Sequence, residues 1–259
     1  MKPTIKMIVN DLDRTLLHTY ETISEYSIGV IRRCREAGIK VIYATGRGGR
    51  SAKSVAPCEY FDGKITQGGG VIAVGDEIVC KYVIPFNVAC SLILAFEQHG
   101  IKTMSEDNVL YYGSEATRNF VVNIGWTKSV NYQIVDIKTH NIDAEKINVF
   151  LLTPAEIEFV ERYLPEDLYL TVARDGHGII MRKEATKIMG IMKLAELWGI
   201  NQTEIVSFGD DVIDIDVLKY TGVGVAVENA IDEVKAVADY ICDTNDNDGV
   251  AKWLEHYIV

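Results

Sequence analysis

The sequence predicts an α/β protein in which a second α/β domain is inserted into a core built on a parallel sheet. Near both ends of the chain, short apolar runs alternate with amphipathic helical segments, and most of these runs stop abruptly at polar clusters. Buried parallel strands end in this way where they reach a functional loop. The middle of the chain has a different pattern and is richer in aromatic residues, which indicates an insertion between two halves of one core.

Strand, helix and strand follow one another within the first 45 residues. An apolar run at 5–10 predicts the first strand, and Thr22 and Glu25 have the spacing of a capping box that opens a helix. The helix is predicted to end at Gly38, before a second β-rich run at 39–44. Such a βαβ unit joins two parallel strands by a right-handed crossover.

The C-terminal part of the chain repeats this alternation. There the predicted order is helix 187–198, strand 205–208, helix 213–220, strand 223–227, helix 231–238 and strand 240–242. In the middle the predicted order is helix 88–99, strands near 109–112, 134–137 and 147–152, helix 155–164, and strands 168–173 and 178–182. The last two strands are predicted to pair across the turn 174–177.

Composition and charge restrict the class of protein. The chain has 259 residues, of which 48% are hydrophobic, and this excludes a wholly disordered protein. Acidic side chains outnumber basic ones by 37 to 26, and the net charge of −11 argues against a nucleic-acid partner. No apolar run reaches the ~18–20 residues of a membrane span, and the N-terminus is predicted to be a strand rather than a signal peptide. Five cysteines without a CxxC pair favour free thiols in a reducing cytoplasm and argue against zinc.

Two carboxylates, Asp11 and Asp13, directly follow the first predicted strand. Residues that leave a parallel strand face the crevice at its carboxyl end, where α/β sheets bind ligands. One carboxylate could act as a nucleophile, and the second could act as general acid and base. An Asx-turn that closes the strand explains the same two residues equally well.

Two further segments could hold an anion. Thr45-Gly46-Arg47 offers a hydroxyl and backbone N–H groups at a turn, although an ordinary β-to-α connection gives the same pattern. The stretch 46–54 lacks two of the glycines that define a P-loop, so that interpretation is rejected. Lys187 opens a predicted helix, where a cation is unfavourable unless an anion is near. The alternatives are a solvated surface lysine, or Arg182 and Lys183 just before it as the relevant cations.

A dense acidic cluster follows the strand predicted at 205–208, and it consists of Asp210, Asp211, Asp214 and Asp216. Acids this close repel one another unless water screens them or a hard divalent cation binds them. Ligand sets made only of oxygen favour Mg²⁺. Helix N-capping explains one or two of the four acids but not the whole group. Metal binding is therefore the preferred interpretation.

Taken in order, the four motifs resemble those of the haloacid dehalogenase-like superfamily. They read Asp11-Leu12-Asp13-Arg14-Thr15-Leu16, Thr45-Gly46-Arg47, Lys187 and Gly209-Asp210-Asp211-Val212-Ile213-Asp214. The large insert between the second and third motifs is similar to that of the Cof-like, subfamily IIB phosphatases. The closing segments Glu228-Asn229-Ala230, Ala238-Asp239-Tyr240 and Asp248-Gly249-Val250 also match the family. The resemblance covers the whole chain.

The resemblance implies a Mg²⁺-dependent phosphatase with a Rossmann-like core and a parallel sheet, and with a large inserted α/β cap that selects the substrate. Asp11 would become an aspartyl phosphate, and Asp13 would protonate the leaving oxygen and then activate water. The implied phosphate-binding residues are Thr45, Gly46 and Lys187. The implied metal ligands are Asp11, the Asp13 carbonyl oxygen and Asp210, with Asp214 in or next to that shell. Candidate substrate-binding residues are Arg47, Arg174 and His177, the last two with a solvated hairpin turn as the favoured alternative.

Three segments depart from the family's usual pattern. Ile213 stands where the family usually has Asn, Gly68-Gly69-Gly70 stands where members often carry Asn-Gly-Ala, and Val227-Glu228-Asn229 replaces Met-Gly-Asn. The first removes a polar group beside Asp214, the second removes a substrate-side amide, and the third brings an acid close to the site. We expect activity to persist, with an unusual substrate.

The complete prediction is a cytoplasmic phosphatase with a core at 1–83 and 183–259 and a cap at 84–182. It would hydrolyse small phosphomonoesters, such as sugar phosphates or phosphorylated cofactors, and have no nucleic-acid or membrane partner. It would be a monomer or a small homo-oligomer. The alternatives are a phosphomutase that uses the same aspartyl phosphate and a phospho-metabolite sensor that has lost turnover.

Overall fold

The structure is a computed structural model that describes residues 4–107, 109–125, 131–151, 153–172 and 176–259. The chain divides into two compact units, Met1–Cys80 with Thr186–Val259, and Lys81–Ala185. Each unit has its own sheet and helices, so the predicted fold class, α/β with an inserted second α/β unit, is confirmed. Within these described ranges, no helix has the length and apolar character that crossing a membrane requires.

The secondary structure alternates along most of the chain. In chain order the strands are β1 Met7–Asn10, β2 Lys40–Ala44, β3 Gly63–Thr66, β4 Val71–Val74, β5 Glu77–Lys81, β6 Lys102–Glu106, β7 Tyr111–Gly113, β8 Tyr132–Ile134, β9 Lys146–Phe150, β10 Leu168–Val172, β11 His177–Arg182, β12 Ile205–Gly209, β13 Val223–Val227 and β14 Tyr240–Cys242. The helices are α1 Glu25–Glu36, α2 Gly49–Val55, α3 Phe86–Gln98, α4 Glu115–Asn123, α5 Pro154–Tyr163, α6 Lys187–Trp198, α7 Ile215–Tyr220, α8 Asp232–Lys235 and α9 Gly249–Tyr257.

The first unit is built on one mainly parallel sheet. Among the described residues its strand order is β14-β13-β12-β1-β2-β3-β4-β5. The pairs from β14 to β3 are parallel, and β3 and β4 are antiparallel. β1 is completely buried and lies between β12 and β2. The carboxyl ends of three neighbouring strands therefore meet in the middle of one sheet edge.

Helices α1 and α9 pack over this sheet because each presents an apolar face. Ile31 from α1 and Leu254 from α9 belong to one buried cluster with Ile8 and Phe208 from the strands. The helix predicted after residue 22 is present, but its N-cap was predicted wrongly. Ser24, not Thr22, accepts the hydrogen bond from a backbone N–H of the first turn.

The second unit has a sheet of order β10-β11-β9-β6-β7-β8 among its described residues. Apolar residues of this sheet share a buried cluster with residues of α3 and α5, including Phe96, Val149 and Val160. β10 and β11 pair antiparallel, as the sequence predicts. The turn between them includes residues outside the described ranges.

Candidate functional site

A cavity lies at the carboxyl ends of β1, β2 and β12. Asp11 follows β1, Thr45 follows β2 and Asp210 follows β12, and all three side chains are buried. The cavity has a volume of about 350 Å³. Its lining residues are Asp11, Asp13, Arg14, Thr45, Gly46, Arg47, Asp210, Asp211, Ile213 and Asp214. The structure therefore brings together the first, second and fourth sequence motifs.

Lys187 joins the first and fourth motifs. Its Nζ donates to Oδ1 of Asp11 at 2.6 Å and to Oδ1 of Asp214 at 2.8 Å. Lys187 is only 5% exposed, so the interpretation as a solvated surface lysine is wrong. Asp11 and Asp214 are the anions that a buried cation at the start of α6 requires.

A close backbone approach fixes the start of α6. Gly69 has φ of 119°, and a Cβ there would lie 2.2 Å from the carbonyl carbon of Thr186, the N-cap of α6. Only glycine fits this conformation and this space. The side chain of Thr186 also accepts from the N–H of Met189 at 3.2 Å. The glycine-rich segment that departs from the family pattern thus helps to place Lys187.

Three buried carboxylates form a possible cation site. One oxygen each of Asp11, Asp210 and Asp214 lie within 4.8 Å of one another. Thr15, which the sequence analysis did not single out, donates from Oγ1 to Oδ1 of Asp210 at 3.0 Å. The Asp13 carboxylate is not in this group, and the prediction for that residue concerns its carbonyl oxygen.

Helix N-capping, the alternative explanation of the acidic cluster, is also correct for some of its residues. Asp211 accepts from the N–H of Val212 at 2.7 Å. Oδ2 of Asp214 accepts from the N–H groups of Asp210 at 3.2 Å and Asp211 at 3.3 Å. Asp216 is exposed on α7 and does not line the cavity. The cluster therefore has two roles. Asp211 and Asp214 close a turn, and Asp210 and Asp214 are buried carboxylates beside the cavity.

The charges in the cluster do not balance. Burial raises the pKa of Asp11 to about 7, against the opposing effect of Lys187, and burial raises the pKa of Asp210 to about 6. Burial alone would lower the pKa of Lys187, but Asp11 and Asp214 raise it further than burial lowers it. Asp214 contributes to both raised pKa values, because its charge repels the ionised form of Asp11 and attracts the ammonium of Lys187. Lys187 stays protonated, and Nε of Arg14 lies 3.8 Å from Oδ2 of Asp210, but the Arg14 side chain is largely exposed. The buried carboxylates therefore keep an excess of negative charge that a proton or a bound cation would relieve.

Arg47 holds Asp13 at the rim of the cavity. Its Nε donates to Oδ2 of Asp13 at 2.8 Å, and its Nη2 donates to Oε1 of Glu21 at 2.7 Å. The hydrogen bond with Asp13 raises the pKa of Arg47. The sequence analysis assigned Arg47 to substrate binding and did not predict this ion pair, because the residues are far apart in sequence. Whether Arg47 also contacts substrate stays a prediction.

The two remaining residues of the second motif form a tight turn. Oγ1 of Thr45 accepts from the N–H of Arg47 at 3.1 Å, and the Thr45 carbonyl accepts from Gly68 at 2.9 Å. A Cβ at Gly46 would meet no atom within 4 Å. Side-chain space alone therefore does not require glycine there.

The turn after β1 depends on a residue from the closing segments. Arg14 has φ of 57°, in the left-handed region. Nδ2 of Asn229 donates to the Arg14 carbonyl at 2.7 Å, and Arg14 Nη2 donates to the Asn229 carbonyl at 3.2 Å. This pair fixes the Arg14–Thr15 peptide, which follows Asp13. The neighbouring Glu228 pairs with Lys235 at 3.4 Å and does not line the cavity.

The substrate-binding candidates of the insert have different outcomes. Arg174 lies outside the described residues. His177 begins β11 and is partly buried, unlike a solvated turn residue. Its Nε2 lies 3.0 Å from Oδ1 of Asn148, and its ring stacks on Phe150 with centroids 5.3 Å apart. Its contact with substrate stays a prediction.

The fold and the site together define a class, an α/β enzyme with an acidic site at the carboxyl edge of its parallel sheet. The sequence model of the haloacid dehalogenase-like hydrolases matches residues 8–254. The chain therefore belongs to that family of hydrolases, as the motifs predicted.

The relatives and a solved structure agree with this placement. The chain is 28% identical to the 5-amino-6-(5-phospho-D-ribitylamino)uracil phosphatase YitU of Bacillus subtilis, with 97% of each chain covered. It is 26% identical to the pyridoxal phosphate phosphatase YbhA of Escherichia coli, over 99% of this chain and 100% of that one. A solved HAD subclass IIB sugar phosphatase superimposes with a TM-score of 0.76 at 26% identity, covering 98% of this chain and 100% of that one. The predicted resemblance to subfamily IIB is confirmed.

Proposed function

We propose that this protein is a Mg²⁺-dependent phosphatase of small phosphomonoesters that works through an aspartyl phosphate on Asp11. The observation that carries the proposal is the buried contact between Asp11 and Lys187 in an acidic cavity. A carboxylate nucleophile needs a cation beside it to accept a phosphate dianion. The relatives YitU and YbhA, named as phosphatases of a ribityl phosphate and of pyridoxal phosphate, support this activity.

The residues present fit Mg²⁺. The donors are carboxylate oxygens, which are the ligands that this hard cation prefers, and they lie close enough to share one ion. Asp11 and Asp210 would hold it with the carbonyl oxygen of Asp13. Both oxygens of Asp214 already accept hydrogen bonds, from Lys187 and from two backbone N–H groups, so Asp214 would position Lys187. When bound, Mg²⁺ would neutralise charge on the phosphoryl oxygens.

Asp11 is held in place for attack. Its backbone N–H donates to the Phe208 carbonyl at 3.1 Å, and its Oδ1 accepts from Lys187. The free oxygen of Asp11 would form a bond to phosphorus while the ester P–O bond breaks. Lys187, the Thr45 hydroxyl and the N–H groups near Gly46 would hold the phosphoryl oxygens.

Asp13 would carry the protons. In the first step its carboxyl would give a proton to the leaving oxygen, and in the second its carboxylate would take one from water. The oxygen of that water would bond to phosphorus as the bond to Asp11 breaks, which releases inorganic phosphate. Because Arg47 holds the Asp13 carboxylate, Asp13 must leave Arg47 when it turns toward the leaving group. The second unit would act as the cap that selects that group.

The test is phosphate release from a panel of sugar and cofactor phosphates, in Mg²⁺ and in EDTA. Asp11→Asn is nearly isosteric and should lower kcat at least ~1000-fold. The matched control is Asp216→Asn, the same substitution at an exposed residue outside the cavity, which should keep wild-type activity. Unchanged rates in Asp11→Asn would overturn the nucleophile. Isomerised sugar phosphate without free phosphate, or ligand binding without turnover, would overturn the phosphatase.

A further inference from the structure

The cavity has one apolar side chain in an otherwise polar wall. Of the ten residues described as lining it, Ile213 alone contributes a hydrocarbon side chain. The other nine are acids, arginines, a threonine and a glycine. Ile213 is 58% exposed, so much of its surface is open to a ligand. Exposed apolar carbon gains free energy when it contacts apolar carbon of a ligand.

Neighbouring hydrogen bonds hold Ile213 in position. It lies in a single turn between Asp211 and Asp214, where the N–H of Asp214 donates to the Asp211 carbonyl at 2.8 Å. Asp211 caps this turn, and the buried Asp214 side chain is bonded at both oxygens. The turn therefore fixes the backbone position from which Ile213 projects, and a residue on a fixed backbone discriminates between ligands better than one on a mobile loop.

The location of Ile213 determines what it would contact. It directly precedes Asp214, which positions Lys187, and it shares the cavity wall with Asp13, the proposed proton donor to the leaving oxygen. The part of a substrate next to Ile213 is therefore the organic group within a few atoms of phosphorus. A hydroxyl forced against this side chain would lose water without gaining a hydrogen bond from it.

We propose that Ile213 is a specificity-determining residue that favours phosphomonoesters in which the carbon bearing the ester oxygen carries an apolar or aromatic group over esters in which it carries a hydroxylated carbon. The inference rests on the proposed phosphatase function. It divides the candidate substrates by chemistry, since an aromatic cofactor phosphate has a ring beside the ester, whereas a polyol phosphate has hydroxyl groups at that place.

The experiment compares two esters of primary alcohols, benzyl phosphate and glycerol 3-phosphate. The ratio of their kcat/KM values is measured for the wild type, Ile213→Asn and Val212→Asn. Val212 is the matched control because it is also exposed, at 61%, but does not line the cavity. We expect Ile213→Asn to lower the benzyl-to-glycerol ratio about 10-fold, mainly through KM for the benzyl ester. Val212→Asn should keep the ratio within about 2-fold of the wild type.

A second measurement avoids dependence on turnover. Binding of benzylphosphonate to the Mg²⁺-loaded protein is followed by calorimetry for the wild type, Ile213→Asn and the smaller Ile213→Ala. Affinity should fall in both variants, and more in Ile213→Asn. An unchanged ratio together with unchanged affinity would overturn the role of Ile213 while leaving the phosphatase intact. Failure of the wild type to hydrolyse either ester or any phosphate of the panel would overturn the proposed function and this inference together.

Discussion

At the residue scale, the main feature of the site is an excess of buried negative charge around one lysine. Three carboxylates approach within 4.8 Å of one another, and Lys187 donates to two of them. Because burial raises the pKa of Asp11 to about 7, its ionised form destabilises the metal-free fold. The same charge would attract a divalent cation, so stability and the proposed function make opposite demands on this residue.

The first prediction is that Asp11→Asn stabilises the metal-free protein at pH 8. The raised pKa already includes the attraction of Lys187 and corresponds to at most ~4 kcal/mol against the ionised carboxylate, and an amide that replaces the carboxyl group imperfectly recovers about half of this. The free energy of unfolding should rise by roughly 1–2 kcal/mol in urea denaturation. The gain should shrink as the pH falls and vanish below about pH 4, where Asp11 is protonated in both the folded and the unfolded state. A less stable Asp11→Asn at pH 8, with Asp216→Asn unchanged, would contradict the charge imbalance.

The sequence predicted the residue types of the site better than their partners. The candidate residues of the first unit stand at the end of a strand or the start of a helix, and local patterns reveal such places. The contact between Asp11 and Lys187 spans 176 positions, so no local pattern shows it. The ion pair of Arg47 with Asp13 was missed for the same reason. Thr15 was missed because a threonine in a turn has several ordinary explanations.

At the element scale, Asp248 connects the last helix to the first. Its Oδ1 accepts from Ser24 at 2.5 Å and Ser27 at 2.9 Å, and it lies 2.9 Å from Nε2 of His18. Burial raises the pKa of Asp248, but these hydrogen bonds lower it by more, so the pKa lies below its usual value. The stability that Asp248 adds is thus present above about pH 4 and is lost as the pH falls through its lowered pKa.

The second prediction is that Asp248→Ala lowers the free energy of unfolding by about 2–4 kcal/mol at pH 7. The change removes three hydrogen bonds to a charged acceptor, and Ala also fits poorly at φ of 55°. Asp248→Asn keeps an acceptor oxygen and should cost less than half as much. Urea denaturation of the two variants and the wild type decides the matter. Equal losses in both variants would show that the hydrogen bonds to Asp248 are not what stabilises this junction.

In the second unit, polar residues are buried on one face of the sheet. Glu106 and Lys146 are register partners on β6 and β9, with Nζ and Oε2 3.2 Å apart, and both are less than 10% exposed. Nδ2 of Asn148 donates to the same Glu106 oxygen at 3.1 Å. A buried ion pair is sensitive to the loss of one partner, because the other charge stays in a poorly solvated place.

The third prediction is that Lys146→Met costs about 3 kcal/mol of unfolding free energy, whereas Glu106→Gln combined with Lys146→Met costs less than about 1 kcal/mol. The double variant removes both charges and keeps a hydrogen-bonding group for Asn148. A double-mutant cycle in urea measures the coupling between the two residues. If the double variant is as unstable as Lys146→Met alone, an uncompensated charge is not the cause of the loss.

The composition of β6 explains why the sequence analysis missed this strand. β6 reads Lys-Thr-Met-Ser-Glu, and its last four residues are buried, polar and apolar alike. Such a strand has neither the alternation of a half-buried strand nor the apolar run of a central one, so hydrophobic periodicity does not reveal it. The predicted strand 109–112 is observed as Tyr111–Gly113, a three-residue strand between β6 and β8. By contrast, β1, β2, β12, β13 and β14 of the first unit were predicted within about two residues, whereas β3, β4 and β5 were not predicted.

At the scale of the whole molecule, the acidic site makes stability depend on pH. Asp11 and Asp210 have pKa values of about 7 and about 6, both raised by burial above the ordinary 3.8. The folded state therefore binds more protons than the unfolded state between about pH 4 and pH 7. The contribution of these two groups to the unfolding free energy is therefore highest below pH 4, and it falls as the pH rises through their folded pKa values. Under the proposed function Mg²⁺ would compete with these protons, so its effect on stability should grow over the same range.

The fourth prediction is that Mg²⁺ raises the melting temperature much more at pH 8 than at pH 5. At 100 times its dissociation constant, a ligand that binds only the folded state adds ~2.7 kcal/mol, which is several degrees for a protein of this size. Thermal unfolding is compared in EDTA and in Mg²⁺ at both pH values, with Asp210→Asn and Asp216→Asn alongside. Asp210→Asn should lose most of the Mg²⁺ effect, and Asp216→Asn should keep it. An equal effect of Mg²⁺ at both pH values, or an undiminished one in Asp210→Asn, would separate cation binding from the buried carboxylates and leave their raised pKa values without a functional reason.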